Sequence, residues 1–350
     1  MILKNCKING TIRDLIINNG KFSTVSSKTD EIYDLKGKTV IPGLVDIHIH
    51  GVMGQDTMDG KFDVMSKFLS ENGTTSYYPT AVPTDKDTLM GILSADTKTD
   101  GAQILGFHYE GPYLSKSKKG ALDETYLITP NDEDLSKLPN VKMMTVSPSV
   151  KGVNEFIKNS DYVISLGHTD CSYDEAKSSI DAGANCVTHL YNAMPPLLHR
   201  EPSLIGAAID KNIYVQIIVD GKHIERSVVY SAYKTFGSDR MILISDAMSA
   251  TGLPDGEYTL GTTEVIVKNS TARTKGGALA GSTSTLWDCV KTAVNFGIAF
   301  NEAVKMATET PANLMGINKG RLEPGCDADF LIISDDLEIE EVYIAGKKIK

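Results

Sequence analysis

Apolar runs recur along the middle of the chain, and most of them are uninterrupted by polar residues. Uninterrupted runs of this length are typical of parallel strands that are buried on both faces. The eight runs lie at residues 44–49, 75–79, 104–107, 141–146, 162–166, 185–188, 214–219 and 241–244. This spacing predicts a closed α/β barrel of the (β/α)8 (TIM-barrel) type, and a doubly wound open sheet is the alternative that strand counting leaves open.

Amphipathic stretches separate many of the predicted strands, as repeated β/α units require. One stretch begins at Ser172 and has Glu175 three residues later, which is the pattern of a capping box at the start of a helix. Residues 224–236 and 285–296 are also predicted to be helical. Residues 256–277 break the alternation, and the run 264–268 resembles a hairpin arm. We therefore expect a β insertion over the barrel mouth.

Both ends of the chain have a different pattern from the middle. Short β-like runs occupy residues 1–8, 11–17 and 31–35, and Asn19-Gly20 between the first runs is a hairpin signal. Residues 329–333 and 341–345 are also short β-like runs, and Gly346 stands at the turn. The sequence thus predicts one small sheet domain built from residues 1–43 plus 321–350, and a barrel domain at residues 44–320.

The composition excludes several functional classes. The net charge of −10 argues against a nucleic-acid surface, which needs clustered lysine and arginine. No apolar run is long enough to span a bilayer, and residues 1–10 lack the pattern of a secretion signal. The five cysteines are scattered without a CxxC motif, which favours free thiols in a reducing compartment. We expect a cytoplasmic protein with no membrane partner.

Potential metal ligands stand at the carboxyl ends of five predicted strands. His48 and His50 are two residues apart on the first strand, so both side chains can face the barrel interior. The other strand-end residues are Glu110, His168, His189 and Asp246. Barrel enzymes assemble their active sites at this end, and imidazoles suit zinc or iron.

Each of these residues taken singly is more often a turn former or a satisfied polar group. Together, six at equivalent strand ends favour a site for a divalent metal. His108 faces the same side as Glu110 but lies one layer deeper, so we expect it to support the site from below rather than to bind metal.

Several motifs resemble those of the amidohydrolase superfamily, and of its N-acetylglucosamine-6-phosphate deacetylases in particular. The string PGLVDIHIHG at 42–51 resembles the superfamily's first strand. The narrower resemblance rests on HYEGP at 108–112, GHT at 167–169, THLYNAMP at 188–195, HREP at 199–202, DGKH at 220–223 and LISDA at 243–247. These motifs occur in the family's order, span nearly the whole chain, and imply that the terminal sheet is a small β-sandwich.

The resemblance implies an activity and a role for each matched position. Glu110, His168 and His189 would bind the main metal, His48 and His50 would add a second site, and Asp246 would be the catalytic carboxylate beside the metal. One or two ions, zinc or iron, would be bound in each subunit. The expected reaction removes the acetyl group from N-acetylglucosamine 6-phosphate, giving glucosamine 6-phosphate and acetate.

The resemblance also implies how a phosphosugar would be held. The corresponding substrate-binding positions are Ala121, Asn192, Ala193, Arg200, His223, Leu279, Ala280 and Gly281. In relatives the arginine that matches Arg200 reaches across a homodimer interface, so a homodimer is expected. Leu122 departs from the family, because many relatives have His or Gln there, and leucine cannot hydrogen-bond a sugar hydroxyl.

The sequence leaves two alternative hypotheses about function open. Another amidohydrolase could act on a different N-acyl amino sugar or an N-acyl amino acid, or on a cyclic amide. Many cyclic-amide enzymes bridge two metals with a modified lysine, but here Glu110 has the bridging position and no lysine stands at an equivalent strand end. A non-catalytic barrel is the second alternative, and it would usually have lost some of the six strand-end residues.

Overall fold

The computed structural model describes residues 1–26 and 31–350. Residues 27–30, which fall in the predicted sheet domain, lie outside the described residues. The first strands are β1 (Ile2–Ile8), β2 (Thr11–Asn18), β3 (Lys21–Ser23), β4 (Ile32–Asp34) and β5 (Thr39–Pro42). The predicted hairpin signal joins β2 to β3: Asn19 and Gly20 both have positive φ, at 49° and 75°, as a two-residue type I′ turn requires.

The middle of the chain forms the predicted parallel barrel. Its elements are β6 (Leu44–Ile49), β7 (Gly51–Val52), β8 (Gln55–Asp56), β9 (Thr74–Ala81), β10 (Gln103–Ile104), β11 (Phe107–Glu110), β12 (Val141–Val146), β13 (Val163–Leu166), β14 (Cys186–Val187), β15 (Tyr214–Ile218) and β16 (Met241–Ile244). Parallel pairing joins β6 to β9, β9 to β11, and then each strand to the next one as far as β16. Strands β7 and β8 form a small hairpin after the first barrel strand.

The two ends of this sheet meet, which rules out the open-sheet alternative. The Asp246 N–H donates to the His48 carbonyl at 3.0 Å, and the His50 N–H donates to the Ala247 carbonyl at 2.8 Å. These bonds link the end of the eighth strand to the first. The barrel therefore closes at the two segments that carry candidate ligands.

The third barrel strand differs from its predicted bounds of 104–107. The chain instead forms β10, which pairs with β9, and then β11, which continues to Glu110. Gly106 interrupts the run at φ 133°, and a Cβ there would lie 2.9 Å from the Asn140 carbonyl oxygen. The irregular residues between β10 and β11 explain why the apolar run placed the strand too early.

Helices cover the outside of the barrel. They are α1 (Asp63–Glu71), α2 (Lys86–Leu93), α3 (Val153–Asn159), α4 (Tyr173–Ala182), α5 (Ser203–Lys211), α6 (Arg226–Phe236), α7 (Leu286–Asn295), α8 (Phe300–Met306) and α9 (Glu309–Met315), with short 3-10 turns at Thr57–Asp59, Lys116–Lys118 and Glu124–Tyr126. The predicted capping box is present, because Ser172 and Glu175 each accept the other's backbone N–H. Within residues 1–26 and 31–350, none of the helices combines the length and apolar character needed to cross a bilayer.

The predicted β insertion is a three-stranded antiparallel meander. Its strands are β17 (Gly256–Leu260), β18 (Thr263–Lys268) and β19 (Thr271–Thr274). Val265 and Val267 are buried in a cluster that also contains Leu122 and Met248, so one face of the meander packs onto the loops above the barrel. The insertion thus packs over the barrel mouth, and residues 256–274 are called the roof below.

The last strands return to the first ones. They are β20 (Phe330–Ile333), β21 (Ile339–Ile344) and β22 (Lys347–Lys348), and β20 pairs antiparallel with β5. The hydrogen bonds join both termini into one curled sheet around its own core, where the rings of Phe22 and Phe330 lie 6.1 Å apart. Both termini build this small sheet unit as predicted, while the boundaries at 43/44 and 320/321 stay a prediction.

A buried ammonium joins the terminal sheet to the barrel. Lys319 is 4% exposed, and its Nζ donates to Asp329 Oδ2 and Gln103 Oε1, both at 2.6 Å. Asp329 adjoins β20 and Gln103 begins β10, so this one side chain contacts both units. Asp329 is itself 2% exposed, and its charge is therefore balanced within the protein.

We predict that Lys319→Met lowers the free energy of unfolding by about 3–5 kcal/mol, because it leaves the Asp329 carboxylate buried without its partner. Urea unfolding would measure the loss. The control is Lys21→Met, which removes the ion pair of an exposed ammonium with Asp327 (2.8 Å) and should change stability far less, because solvent screens such a pair. Equal losses in the two variants would contradict the proposed importance of the buried pair.

Candidate active site

A cavity of about 380 Å³ opens at the carboxyl end of the barrel strands. Five of the six candidate ligands line it: His50, Glu110, His168, His189 and Asp246. The sixth, His48, is fully buried directly beneath them. The structure thus brings together all six residues that the strand-end pattern singled out.

Three of these residues leave their strands with the same unusual backbone. His168, His189 and Asp246 have φ of 45°, 28° and 46°, in the left-handed region that non-glycine residues seldom adopt. Such conformations have a free-energy cost of order 1–3 kcal/mol each and cluster at functional sites. All three side chains line the same cavity.

The six side chains form two groups that could each hold a metal ion. One group is Glu110, His168 and His189, and the other is His48, His50 and Asp246; within each group the ligand atoms lie within 4.8 Å of one another. Glu110 touches both groups, because its Oε1 lies 3.1 Å from His189 Nε2 and its Oε2 lies 3.4 Å from His50 Nε2. The geometry allows this carboxylate to bridge two cations.

Outward hydrogen bonds to backbone carbonyls fix the orientation of two of the imidazoles. His50 Nδ1 lies 3.1 Å from the Thr80 carbonyl oxygen, and His168 Nδ1 lies 2.8 Å from the Lys118 carbonyl oxygen. A carbonyl oxygen can only accept, so Nδ1 carries the proton in both rings. The neutral form of each ring then presents an Nε2 lone pair to the cavity, as metal binding requires.

The inward-facing atoms need a positive charge between them. Nε2 of His48 lies 3.3 Å from Nε2 of His50, and Nε2 of His168 lies 3.0 Å from that of His189. Lone pairs at these distances repel unless a proton or a metal cation intervenes. The residues present therefore fit a cation site, and neutral nitrogen with carboxylate oxygen suits zinc, iron, manganese or cobalt.

The pKa values of the candidate ligands also show that the site needs a positive charge. Burial by itself would raise the pKa of Glu110, but the charges of His48 and His168 hold it well below its usual range. Burial also opposes ionisation of Asp246, yet His48 and His50 lower its pKa to about 2. Conversely, Asp246 and Glu110 outweigh burial and raise the pKa of His50 well above its ordinary value. Both carboxylates are thus ionised, and the site favours positive charge.

His108 lies below the site, as expected. It is fully buried, and its two ring nitrogens contact the hydroxyls of Thr80 (3.2 Å) and Thr145 (2.8 Å). Burial, followed by the charge of His48, lowers the pKa of His108 well below its ordinary value, so the ring is neutral. Its ring packs edge-on against that of His48 with centroids 4.6 Å apart. His108 therefore supports a candidate ligand by packing.

His223 lines the cavity and is paired with a second buried carboxylate. Its Nδ1 lies 2.8 Å from Asp220 Oδ2, and both side chains are almost fully buried. Burial lowers the pKa of His223, but the hydrogen bond and charge of Asp220 outweigh it, so the pKa is raised. The protonated ring presents an Nε2–H donor, because Asp220 already accepts from Nδ1.

Most of the predicted substrate-binding positions line the same cavity. Asn192 and Ala193 follow His189 on one side, and the cavity is completed by Ala121, Leu122, Leu279 and Gly281. A Cβ on Gly281 would lie 2.9 Å from the Asp246 carbonyl oxygen, so the close approach requires glycine. Ala280 is 1% exposed and packs behind the wall.

Arg200 does not line this cavity within the described chain. It is exposed on the loop after Pro196, where it contacts His199, and it borders a neighbouring groove with Asp170 and Tyr173. One chain alone therefore does not bring Arg200 to the candidate ligands.

Gln216 is a residue of this site that the sequence reasoning missed. It is fully buried on β15, and its Oε1 lies 3.0 Å from His48 Nδ1. The sequence does contain an indication of its role, because Gln216 is a polar residue inside an otherwise apolar run predicted to be buried on both faces. The sequence gives no indication that the carbonyls of Lys118 and Thr80 contact the imidazoles, since any residue supplies a backbone oxygen.

Comparison with known proteins places this architecture in a family. The model of the amidohydrolase family matches residues 39–349. The chain is 35% identical to an N-acetylglucosamine-6-phosphate deacetylase of Bacillus subtilis (92% of this chain, 89% of the relative), and 31% identical to an N-acetylgalactosamine-6-phosphate deacetylase of Escherichia coli O157:H7 (95% and 93%).

A solved structure agrees over the whole length. The crystal structure of N-acetylglucosamine-6-phosphate deacetylase from Thermotoga maritima superposes with a TM-score of 0.91 at 31% identity, covering 100% of this chain and 99% of the other. The overall fold is therefore shared along the whole chain. The chain belongs to the amidohydrolase family.

Proposed function

We propose that this protein hydrolyses the N-acetyl group of N-acetylglucosamine 6-phosphate, giving glucosamine 6-phosphate and acetate. The observation that carries the proposal is the convergence of four imidazoles and two carboxylates around one cavity at the barrel mouth. The name of the B. subtilis relative and the full-length likeness to the T. maritima enzyme support the choice of substrate. We place the protein in the cytoplasm.

The metal centre proposed here has two parts. Glu110, His168 and His189 would hold one ion, and His48, His50 and Asp246 would hold a second, with zinc or iron as the metal. Ions bound there would act as Lewis acids, lowering the pKa of a nearby water to about 7 and polarising a carbonyl oxygen. Glu110, which contacts both groups of ligands, would serve the role that a modified lysine has in many cyclic-amide enzymes.

Asp246 is the proposed general base. Its carboxylate faces the cavity, and its low pKa keeps it ionised and able to orient the attacking water. It would take the proton of that water and pass it to the departing amine nitrogen. His223, held by Asp220, would donate its Nε2–H to the acetyl oxygen as negative charge develops there.

The phosphate contact is proposed to involve a second subunit. Asn192 and Ala193 would hold the sugar phosphate from within the chain, with Ala121 and residues 279–281 lining the site. Arg200 suits phosphate, since guanidinium pairs with phosphate oxygens in a bidentate fork. Because Arg200 lies outside the cavity of its own chain, we propose a homodimer in which Arg200 of the partner subunit completes each site.

N-acetylgalactosamine 6-phosphate is the second candidate substrate. The E. coli relative at 31% identity is an N-acetylgalactosamine-6-phosphate deacetylase, and Leu122 gives this cavity an apolar side chain that cannot select a hydroxyl by hydrogen bonding. The deciding experiment is acetate release from both phosphosugars and from unphosphorylated N-acetylglucosamine, using protein of measured metal content. No acetate from the gluco phosphate would refute the main proposal.

We predict that Asp246→Asn lowers kcat for acetate release by about 10²- to 10⁴-fold, because the variant lacks the general base. The asparagine has nearly the same shape, so the ion at Glu110, His168 and His189 should stay bound. Kinetics and metal analysis on the same sample would separate the two effects. Near-normal turnover would refute the assigned role of Asp246.

We predict that Asp220→Asn shifts the alkaline limb of the kcat/KM profile to lower pH. Asp220 raises the pKa of His223, so the donor form persists to higher pH in the wild type and is lost earlier in the variant. Asp210→Asn, an exposed carboxylate bonded to the Tyr173 hydroxyl, is the control and should leave the profile in place. An unshifted limb in Asp220→Asn would exclude His223 as a protonated donor.

We predict that Arg200→Ala raises KM for the phosphorylated sugar by about 10- to 100-fold, as loss of a charge-assisted hydrogen bond implies. The unphosphorylated sugar should be little affected. Mixing Arg200→Ala chains with Asp246→Asn chains tests the subunit arrangement. If Arg200 acts across the interface, the mixed dimer contains one intact site and regains activity; no recovery would show that Arg200 acts elsewhere.

A further inference from the structure

One imidazole of the cavity floor depends on a side chain for its orientation. His48 Nδ1 lies 3.0 Å from Gln216 Oε1, and both residues are fully buried. We propose that Gln216 is a positioning residue that holds His48 in its ligating form and thereby sets the affinity for the ion at His48, His50 and Asp246. This inference rests on the two-ion centre of the proposed function.

The surroundings of Gln216 select one orientation of its amide. In that orientation Oε1 accepts from His48, and Nε2 lies 3.7 Å from the Met143 sulfur, a weak acceptor. In the reversed amide, Nε2 would donate to His48 Nδ1 and the ring proton would move to Nε2. That proton would then point toward the ion position that His48 shares with His50, whose Nε2 is 3.3 Å away. Gln216 therefore favours the tautomer with a lone pair toward the cavity.

The other oriented imidazoles are held differently. His50 and His168 donate to the backbone carbonyls of Thr80 and Lys118, which no substitution of a side chain removes directly. Only the His48 contact among these three can be deleted by changing one side chain. Because His48 belongs to a single metal group, the effect of that deletion should be confined to one ion.

The location of Gln216 explains how it could act without touching substrate. It stands on β15, the seventh barrel strand, which supplies none of the six candidate ligands. Its side chain is fully enclosed, so it cannot contact a molecule in the cavity. Outer residues that orient histidine ligands typically change metal affinity by 10- to 100-fold when they are replaced.

The test uses three variants of the full chain. Gln216→Met keeps the length of the side chain but removes the acceptor oxygen, and Gln216→Glu keeps an acceptor for the His48 Nδ1–H. Ser76→Ala is the matched control, since Ser76 is a fully buried polar residue on the barrel strand β9 whose hydroxyl has no hydrogen-bond partner within the described chain. Zn²⁺ titration of the metal-free proteins against a competing chelator measures the stoichiometry and affinity of each ion.

We expect Gln216→Met to weaken binding of one Zn²⁺ by about 10- to 100-fold while the other is retained. Gln216→Glu should restore that affinity, and Ser76→Ala should match the wild type. Unchanged affinity in Gln216→Met, or equal weakening of both ions, would overturn the positioning role. A wild type that binds one Zn²⁺ yet releases acetate would overturn the two-ion centre and this inference together, while the proposed activity would stand.

Discussion

Electrostatic balance at the barrel mouth is the constraint on which the rest of the site depends. Two ionised carboxylates and four imidazoles are at most 6% exposed, and an uncompensated buried charge is very unfavourable. The inward lone pairs of the imidazoles add to the negative potential. Only a positive charge among them makes the arrangement stable, and this requirement connects burial, backbone strain and chemistry.

The closed barrel makes such an arrangement possible. Parallel strands all end on the same side, so one residue at each of several strand ends reaches a common point. The hydrogen bonds that close the barrel involve the backbone of His48, His50 and Asp246 or its neighbour, so closure and ligand placement depend on the same segments. Displacing the eighth strand would therefore move Asp246 away from its imidazole partners.

Sequence periodicity predicted the features that depend on local pattern. The apolar runs placed seven of the eight barrel strands but missed the break at Gly106 in the third, and the two-residue spacing of His48 and His50 put both on the inner face. The capping box at Ser172 gave the start of α4. Contacts between distant segments could not be read in this way: Gln216 meets His48 across 168 positions, and the acceptor for His168 is the backbone carbonyl of Lys118. The position of Arg200 outside the cavity of its own chain likewise depends on how the loop after Pro196 folds.

Leu122 shows how the roof and the cavity share residues. It is 4% exposed and packs with Leu260, Val265 and Met248 under the β insertion. An apolar side chain there stabilises the attachment of the roof, because its burial removes hydrocarbon surface from water. A polar replacement would gain a partner for the sugar only by placing a polar group against that cluster. Leu122 therefore contributes both to the attachment of the roof and to the apolar lining of the cavity.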